Sequence, residues 1–133
     1  MRITIVGAGP VGLLTACLLS HEHIVTILDK RNTSTRSHGL NIDTNTINII
    51  INYIESRNLL IDDNMRYLCD ILRSWENTLV GTIDIESQLT TIANNLGVNI
   101  RKGITVESID EIEDSIIIGA DGAHSKIREL VFN

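Results

Sequence analysis

Aromatic side chains make up only 3% of the sequence, which leaves little surface for stacking on nucleobases. Positive charge is also short. Lys and Arg number 11 against 17 Asp and Glu, for a formal charge of −6, and such a surface repels a phosphate backbone. Nucleic-acid binding is set aside on both counts. The two cysteines, Cys17 and Cys69, lie far apart without CxxC spacing, and the four histidines are scattered. A disulfide scaffold and a zinc site are therefore not indicated, and a reducing cytoplasmic compartment is the expectation. Unbroken apolar runs are missing too. Ile3 to Ser20 is uncharged, but Gly7, Gly9, Pro10 and Gly12 interrupt it and His21, Glu22 and His23 close it. That is too short for a spanning helix, so no membrane role is expected.

What is present suits one globular domain. The chain has 133 residues, 43% of them hydrophobic and 21% charged, near the averages for a folded domain. The composition leans on 23 Ile and 12 Asn against a single Pro, a bias expected of AT-rich codons. Isoleucine therefore carries less strand information here than usual, because it can stand in for Leu or Val in helices.

Hydrophobic periodicity gives an alternating order of elements. Ile3 to Val6 is a β-branched run ending at Gly7, predicted as a strand buried on both faces. Val11 to Ser20 is an apolar helix with Pro10 suited to its first position, and Ile24 to Leu28 is a second buried strand closed by Asp29. Together they make a βαβ unit with a right-handed crossover. Lys30 to Asn41 is predicted as a polar loop. Thr44 to Arg57 fits a strand by its isoleucines but a helix by the stripe Ile47, Ile50, Ile51 and Ile54, with Asp43 or Thr44 as cap, and helix is preferred. Leu68, Ile71, Leu72 and Trp75 place an amphipathic helix over Asn64 to Glu76. Leu89, Ile92, Ala93 and Leu96 predict another, with Asp84 as its cap and Gly97 as its stop. Val98 to Ile100 is a strand, Ile104 to Ile109 an extended piece, Glu111 to Asp114 an acidic turn, Ser115 to Ile118 a buried strand and Ser125 to Phe132 a closing helix.

The chemistry concentrates at the first turn. Gly7-Ala8-Gly9-Pro10-Val11-Gly12 has GxGxxG spacing between a strand and a helix. In that context the first glycine permits the tight turn, the second admits a pyrophosphate to the backbone, and the third lets helix and strand pack closely. The helix N-terminus supplies unpaired N–H groups to the phosphates. Asp29 follows at the spacing of roughly 20 residues at which a carboxylate accepts bonds from ribose hydroxyls, although it could equally cap its own loop. A carboxylate there suits an adenosine with a free 2′-OH, as in FAD and NAD, and argues against NADP.

The C-terminal segment Ser115 to Arg128 reads SIIIGADGAHSKIR. It closely resembles the aspartate-glycine motif of the flavoprotein monooxygenases related to p-hydroxybenzoate hydroxylase, matching at Gly119, Ala120, Asp121, Gly122, Ser125 and Arg128. The GAGPVG turn and the acidic-then-basic Asp29-Lys30-Arg31 match the same family, as does an Arg in the following loop, Arg36. Glu86-Ser87-Gln88-Leu89 matches its polar segment before the third parallel strand more loosely. The resemblance spans nearly the whole chain and implies a Rossmann-like α/β FAD-binding domain, with a parallel sheet of about four strands in the order 98–101, 24–28, 3–6, 115–118 flanked by helices. It implies FAD held through Gly7, Gly9, Pro10, Val11, Gly12, Asp29, Lys30, Arg31, Arg36, Gln88, Asp121 and Gly122, with NAD(P)H as reductant and hydroxylation of a small substrate as the family reaction.

Departures from the family are equally plain in the sequence. Its members interleave a substrate-binding sheet that is here reduced to Asn58 through Ile83, and the hairpin before the last strand shrinks to Asp110 through Asp114. The second flavin motif of the family, Gly-Asp-Ala and a following Pro, is not found. The expectation is a single FAD-binding domain over 1–133 without a substrate domain, acting in the manner of a monooxygenase only when a second chain, a homo-oligomer or a longer parent completes the site. A stand-alone NAD-binding module and a degenerate domain kept for binding a partner are the alternatives. No catalytic nucleophile, acid-base pair or metal site is assigned. His38 and His124 are left without a role.

Overall fold

Ile3, Ile5 and Val6 are β-branched, and all are buried, which suits the middle of a parallel sheet, where both faces of a strand are covered. In the computed structural model, whose described residues are 1–31, 38–108, 112 and 116–120, they lie in strand β1 (Arg2–Val6). On one side β1 pairs in parallel with β2 (Ile24–Asp29), placing Ile5 opposite Ile27. On the other it pairs with β6 (Ile116–Gly119), placing Ile5 opposite Ile118. Strand β5 (Asn99–Lys102) joins the outer edge of β2 with Ile27 opposite Ile100. The sheet order β5-β2-β1-β6 is the order expected from the sequence.

Successive side chains on a strand point to opposite faces, and the two faces of this sheet have different neighbours. Ile3, Ile5, Val25 and Ile27 join the main core with the helices, whereas Val6, Leu28 and Ile117 meet Val106 and Ile112 on the other side. Helix α1 (Pro10–Leu19) crosses from β1 to β2 and buries Gly12, Leu13, Ala16 and Cys17. It packs against α4 (Thr82–Asn95), which delivers the chain to β5. Each fully buried Leu or Ile contributes about 1.5–3 kcal/mol, and Leu13, Ile85, Leu89 and Ile92 are all almost wholly covered.

Between β2 and α4 lies an insertion with its own short sheet. Strand β3 (Gly39–Asn41) pairs antiparallel with β4 (Leu79–Gly81). The connection holds α2 (Thr44–Ser56), a 3₁₀ turn over Leu59–Ile61, and α3 (Asp63–Ser74). The predicted helix at 44–57 is therefore present. Asp43 caps it by accepting from the Thr46 N–H at 2.7 Å, and Ile47, Ile51 and Ile54 are buried.

Two details differ from expectation. Asp84 does not cap α4. The helix begins two residues earlier, at Thr82, whose N–H and hydroxyl both donate to the His38 carbonyl, and Asp84 sits in the first turn, where its charge favours the helix dipole. The polar loop 30–41 contains β3, because pairing with β4 outweighs the turn-forming composition of that stretch. Residues 104–108, where an extended piece is expected, belong to no helix or strand; the Ile104 N–H donates to the Asp29 carbonyl and Val106 is buried. Gly97 stops α4 as predicted. It adopts φ of +86°, its N–H bonds the Asn94 carbonyl, and the Val98 N–H bonds the Ala93 carbonyl, the two bonds of a Schellman motif. The acidic turn, apart from Ile112, and the closing helix lie outside the described residues.

Candidate functional site

The glycine turn joins the end of β1 to the start of α1. Gly7 has φ of +114°, which an L side chain rarely adopts, and its N–H donates to the Leu28 carbonyl at 2.8 Å. A Cβ added at Gly12 would overlap the Gly7 carbonyl oxygen and come within 3.4 Å of the Ala120 Cβ. That residue is therefore glycine for the close approach of helix to strand. Gly9 is different: a Cβ there would meet nothing within 4 Å, and its backbone is extended. Neither packing nor conformation within the described residues requires glycine at that position. Open space over the helix start is what a bound phosphate needs.

The start of α1 is open to a ligand in another respect. Gly9 is the N-cap and offers no side-chain acceptor, and no acidic residue lies in the first turn. Pro10 brings no N–H, so Val11 and Gly12 present the leading backbone donors, with Val11 itself 71% exposed. A helix N-terminus with uncapped donors and a partial positive charge accommodates an anion.

Asp29 closes the adjoining strand, one residue beyond the Leu28 carbonyl that holds Gly7. Its carboxylate is buried and already engaged. It accepts from the Arg31 backbone N–H at 3.2 Å and from the Arg31 guanidinium at 3.1–3.4 Å. The loop-capping role weighed for Asp29 is thus real. Arg31 in turn reaches α4, donating from Nη2 to the buried Glu86 at 3.0 Å. Burial works to lower the Arg31 pKa, but the hydrogen bonds and charges of Asp29 and Glu86 outweigh it and hold the guanidinium above its ordinary value. Arg31 is therefore locked as a cation between two buried carboxylates.

The remaining candidates are less integrated. Lys30 is exposed. Gln88 is half-buried on α4, and among the described residues it bonds neither to the glycine turn nor to Asp29. The partner that α4 supplies to this corner is Glu86, two residues earlier, which sequence reasoning left within a loosely matched segment. Its signal was available: Glu86 interrupts the buried stripe of Thr82, Ile85, Leu89, Ile92 and Ala93, and a carboxylate on such a stripe needs a cation. Arg36, Asp121 and Gly122 lie outside the described residues, as does His124. Ala120 is the last described residue of the C-terminal segment. Its N–H donates to the Val6 carbonyl at 2.8 Å, bringing the end of β6 against the glycine turn.

No group of three or more His, Cys, Asp or Glu among the described residues is placed to hold a metal ion. Burial pushes the Cys17 thiol up to about 12, which leaves it protonated and unreactive. Among the described residues no helix is long and apolar enough to cross a membrane.

Residues 5–66 match the family model described as an NAD(P)-binding Rossmann-like domain. The chain has a Rossmann-like α/β fold with a four-stranded parallel sheet. Solved structures share this Rossmann-like fold across almost the entire chain. The anhydrotetracycline hydroxylase OxyS from Streptomyces rimosus is 19% identical with a TM-score of 0.72, the match covering 99% of this chain and 34% of that one. The p-nitrophenol 4-monooxygenase PnpA from Pseudomonas putida is 20% identical with a TM-score of 0.70, covering 98% and 44%. A halogenase solved in complex with FAD is 15% identical with a TM-score of 0.68, covering 98% and 36%. The chain thus spans between about a third and under half of the length of these proteins, and the resemblance to them holds at the level of fold. No curated protein sequence matches the chain.

Proposed function

We propose that this domain binds FAD through its ADP half, as the nucleotide-binding part of a flavoprotein of the monooxygenase type. The observation that carries the reading is the open space at Gly9 over the uncapped start of α1, in a fold whose solved neighbours include hydroxylases and an FAD-bound halogenase. The Val11 and Gly12 N–H groups would hold the pyrophosphate. The corner formed by Asp29 and Arg31 would take the adenosine ribose, and Arg36, Gln88, Asp121 and Gly122 are assigned to the flavin side by the family resemblance. When bound, FAD would supply the redox chemistry, with NAD(P)H as the expected reductant. The part of this chain is to bind and orient the nucleotide. Hydroxylation of a small substrate needs a dry, enclosed site, and that enclosure would come from a second copy, another chain or further sequence of a longer protein.

A second reading, a module for NAD, draws support from the NAD(P)-binding description of the matching family model. One experiment separates the two: titration of flavin-free protein with FAD followed by flavin fluorescence, with NAD and ADP as competitors. Saturable FAD binding that ADP displaces and NAD displaces poorly is the expected result. Gly9→Asp should abolish it without unfolding the domain, because aspartate is a favoured N-cap that occupies the helix donors and adds negative charge where the pyrophosphate would sit. No binding of FAD at micromolar concentration sinks the proposal.

A further inference from the structure

Strand β5 is an outer edge of the sheet, and its last two residues are basic. Arg101 lies opposite Leu28 and Lys102 opposite Asp29. Both are exposed, and the side chain of neither makes a hydrogen bond or ion pair with the described residues. Arg31, Arg57, Arg66 and Arg73 differ in this respect, since each is engaged with a carboxylate. The sheet order β5-β2-β1 puts the two cations two strand spacings, about 10 Å, from the end of β1 and its glycine turn. Lys30, also exposed, follows directly on β2 between them.

We infer that Arg101 and Lys102 form a positive rim that steers an anionic nucleotide to the glycine turn, against the net negative charge of the molecule. This rests on the nucleotide-binding reading of the site. The chain carries a formal charge of −6, so at long range it repels the dianionic pyrophosphate of FAD. Unpaired cations beside the site reverse that force over the last part of the approach, because charge of one sign around a cleft concentrates a ligand of the other sign and speeds its association. At 0.1 M salt the screening length is about 10 Å, so the end of β5 still acts on a ligand arriving at the turn. Arg2 provides an internal control. It is exposed and equally without an ion pair to the described residues, but it begins β1, about 13 Å down the strand from Val6.

Stopped-flow fluorescence of the full chain mixed with FAD, over salt from about 0.05 to about 0.5 M, tests this. Steering by the rim predicts that kon falls as salt rises, whereas the net charge alone predicts the opposite, since salt then screens a repulsion. Joint Arg101→Gln and Lys102→Gln substitution should slow kon about threefold at the lowest salt, and joint Arg101→Glu and Lys102→Glu substitution about tenfold. In both, koff should stay within about twofold of the wild type and the difference in kon should vanish at high salt. Arg2→Gln should leave kon nearly unchanged. A wild-type kon that rises with salt or ignores it overturns the inference, even if no variant folds. A joint variant whose koff rises while kon holds also overturns it, because the two residues would then be direct contacts, and so does Arg2→Gln slowing kon as much as the joint variant. Charges on an edge strand also guard against strand addition; joint variants that self-associate on size-exclusion chromatography yet keep the wild-type kon would assign that role instead and overturn steering. Absence of FAD binding by the wild type removes the nucleotide reading itself, and the inference with it.

Discussion

At the scale of single residues, Gly9 and Gly12 belong to one turn yet should respond to a methyl group in opposite ways. Gly12→Ala drives a Cβ into the Gly7 carbonyl. Backbone atoms cannot give way as a flexible side chain does, so the substitution should destabilise the fold by about 1–3 kcal/mol. Gly9→Ala meets empty space on an extended backbone and should leave stability within about 0.5 kcal/mol of the parent. Urea denaturation of both variants reads the difference. Equal losses would mean that the room at Gly9 is taken up by protein. Cys17 allows a second check at this scale. Its thiol is buried and pushed up to about 12, so alkylation by iodoacetamide at pH 8 should reach Cys17 only after denaturation, and mass spectrometry of native protein showing it modified would contradict the burial.

At the scale of elements, α3 depends on its cap. Asp62 accepts from the Asn64 N–H at 2.7 Å and pairs with His21 at 3.1 Å, tying the turn after α1 to the start of α3. Burial works to raise the Asp62 carboxyl, but the hydrogen bonds from His21 and the helix amides prevail and hold it below its ordinary 3.8. A depressed folded-state value means that this stabilisation is fully present above pH about 4 and is lost as pH falls through the folded value. Asp62→Ala should therefore cost about 1 kcal/mol near neutral pH, and the cost should shrink toward zero in strong acid. A loss independent of pH would show that the carboxylate charge plays no part. The elements also show where sequence suffices. The stripe of Ile47, Ile51 and Ile54 and the Asp43 cap identified α2 although its isoleucines favour a strand, because burial on one face dominates local propensity. The beginning of α4 was misplaced because Asp84 looks like a cap, while the true boundary is set by the His38 carbonyl 44 residues away in sequence. The clamp of Glu86 on Arg31 spans 55 residues. Glycine spacing and a carboxylate at the next strand are local signals and were readable. Contacts that depend on which helix face meets which strand end were not, since they emerge only once the core has packed.

At the scale of the whole molecule, strand order decides where a ligand can sit. The chain steps outward from β1 to β2 and later β5, then returns to the opposite side of β1 with β6. That reversal opens a crevice beyond the carboxyl end of β1, the usual place for ligands in open α/β sheets. The glycine turn, the end of β2 with Asp29 and the end of β6 with Ala120 all lie there. The insertion with α2, α3 and the β3–β4 pair branches off between β2 and α4 and contributes none of these residues. Binding should therefore protect amides selectively. At an ADP concentration of about 100 times Kd, mass action adds roughly 2.7 kcal/mol to global stability, slowing exchange in all amides that open only by global unfolding. Amides of Val11 and Gly12 should gain protection beyond that, and so should those around Asp29 to Arg31, because the ligand touches them directly, whereas exposed amides of α2 and α3 that exchange by local opening should not change. Hydrogen-exchange mass spectrometry with and without ADP measures both classes at once. Extra protection confined to the β3–β4 pair or to α2 would relocate the ligand to the insertion and remove the glycine turn from the site.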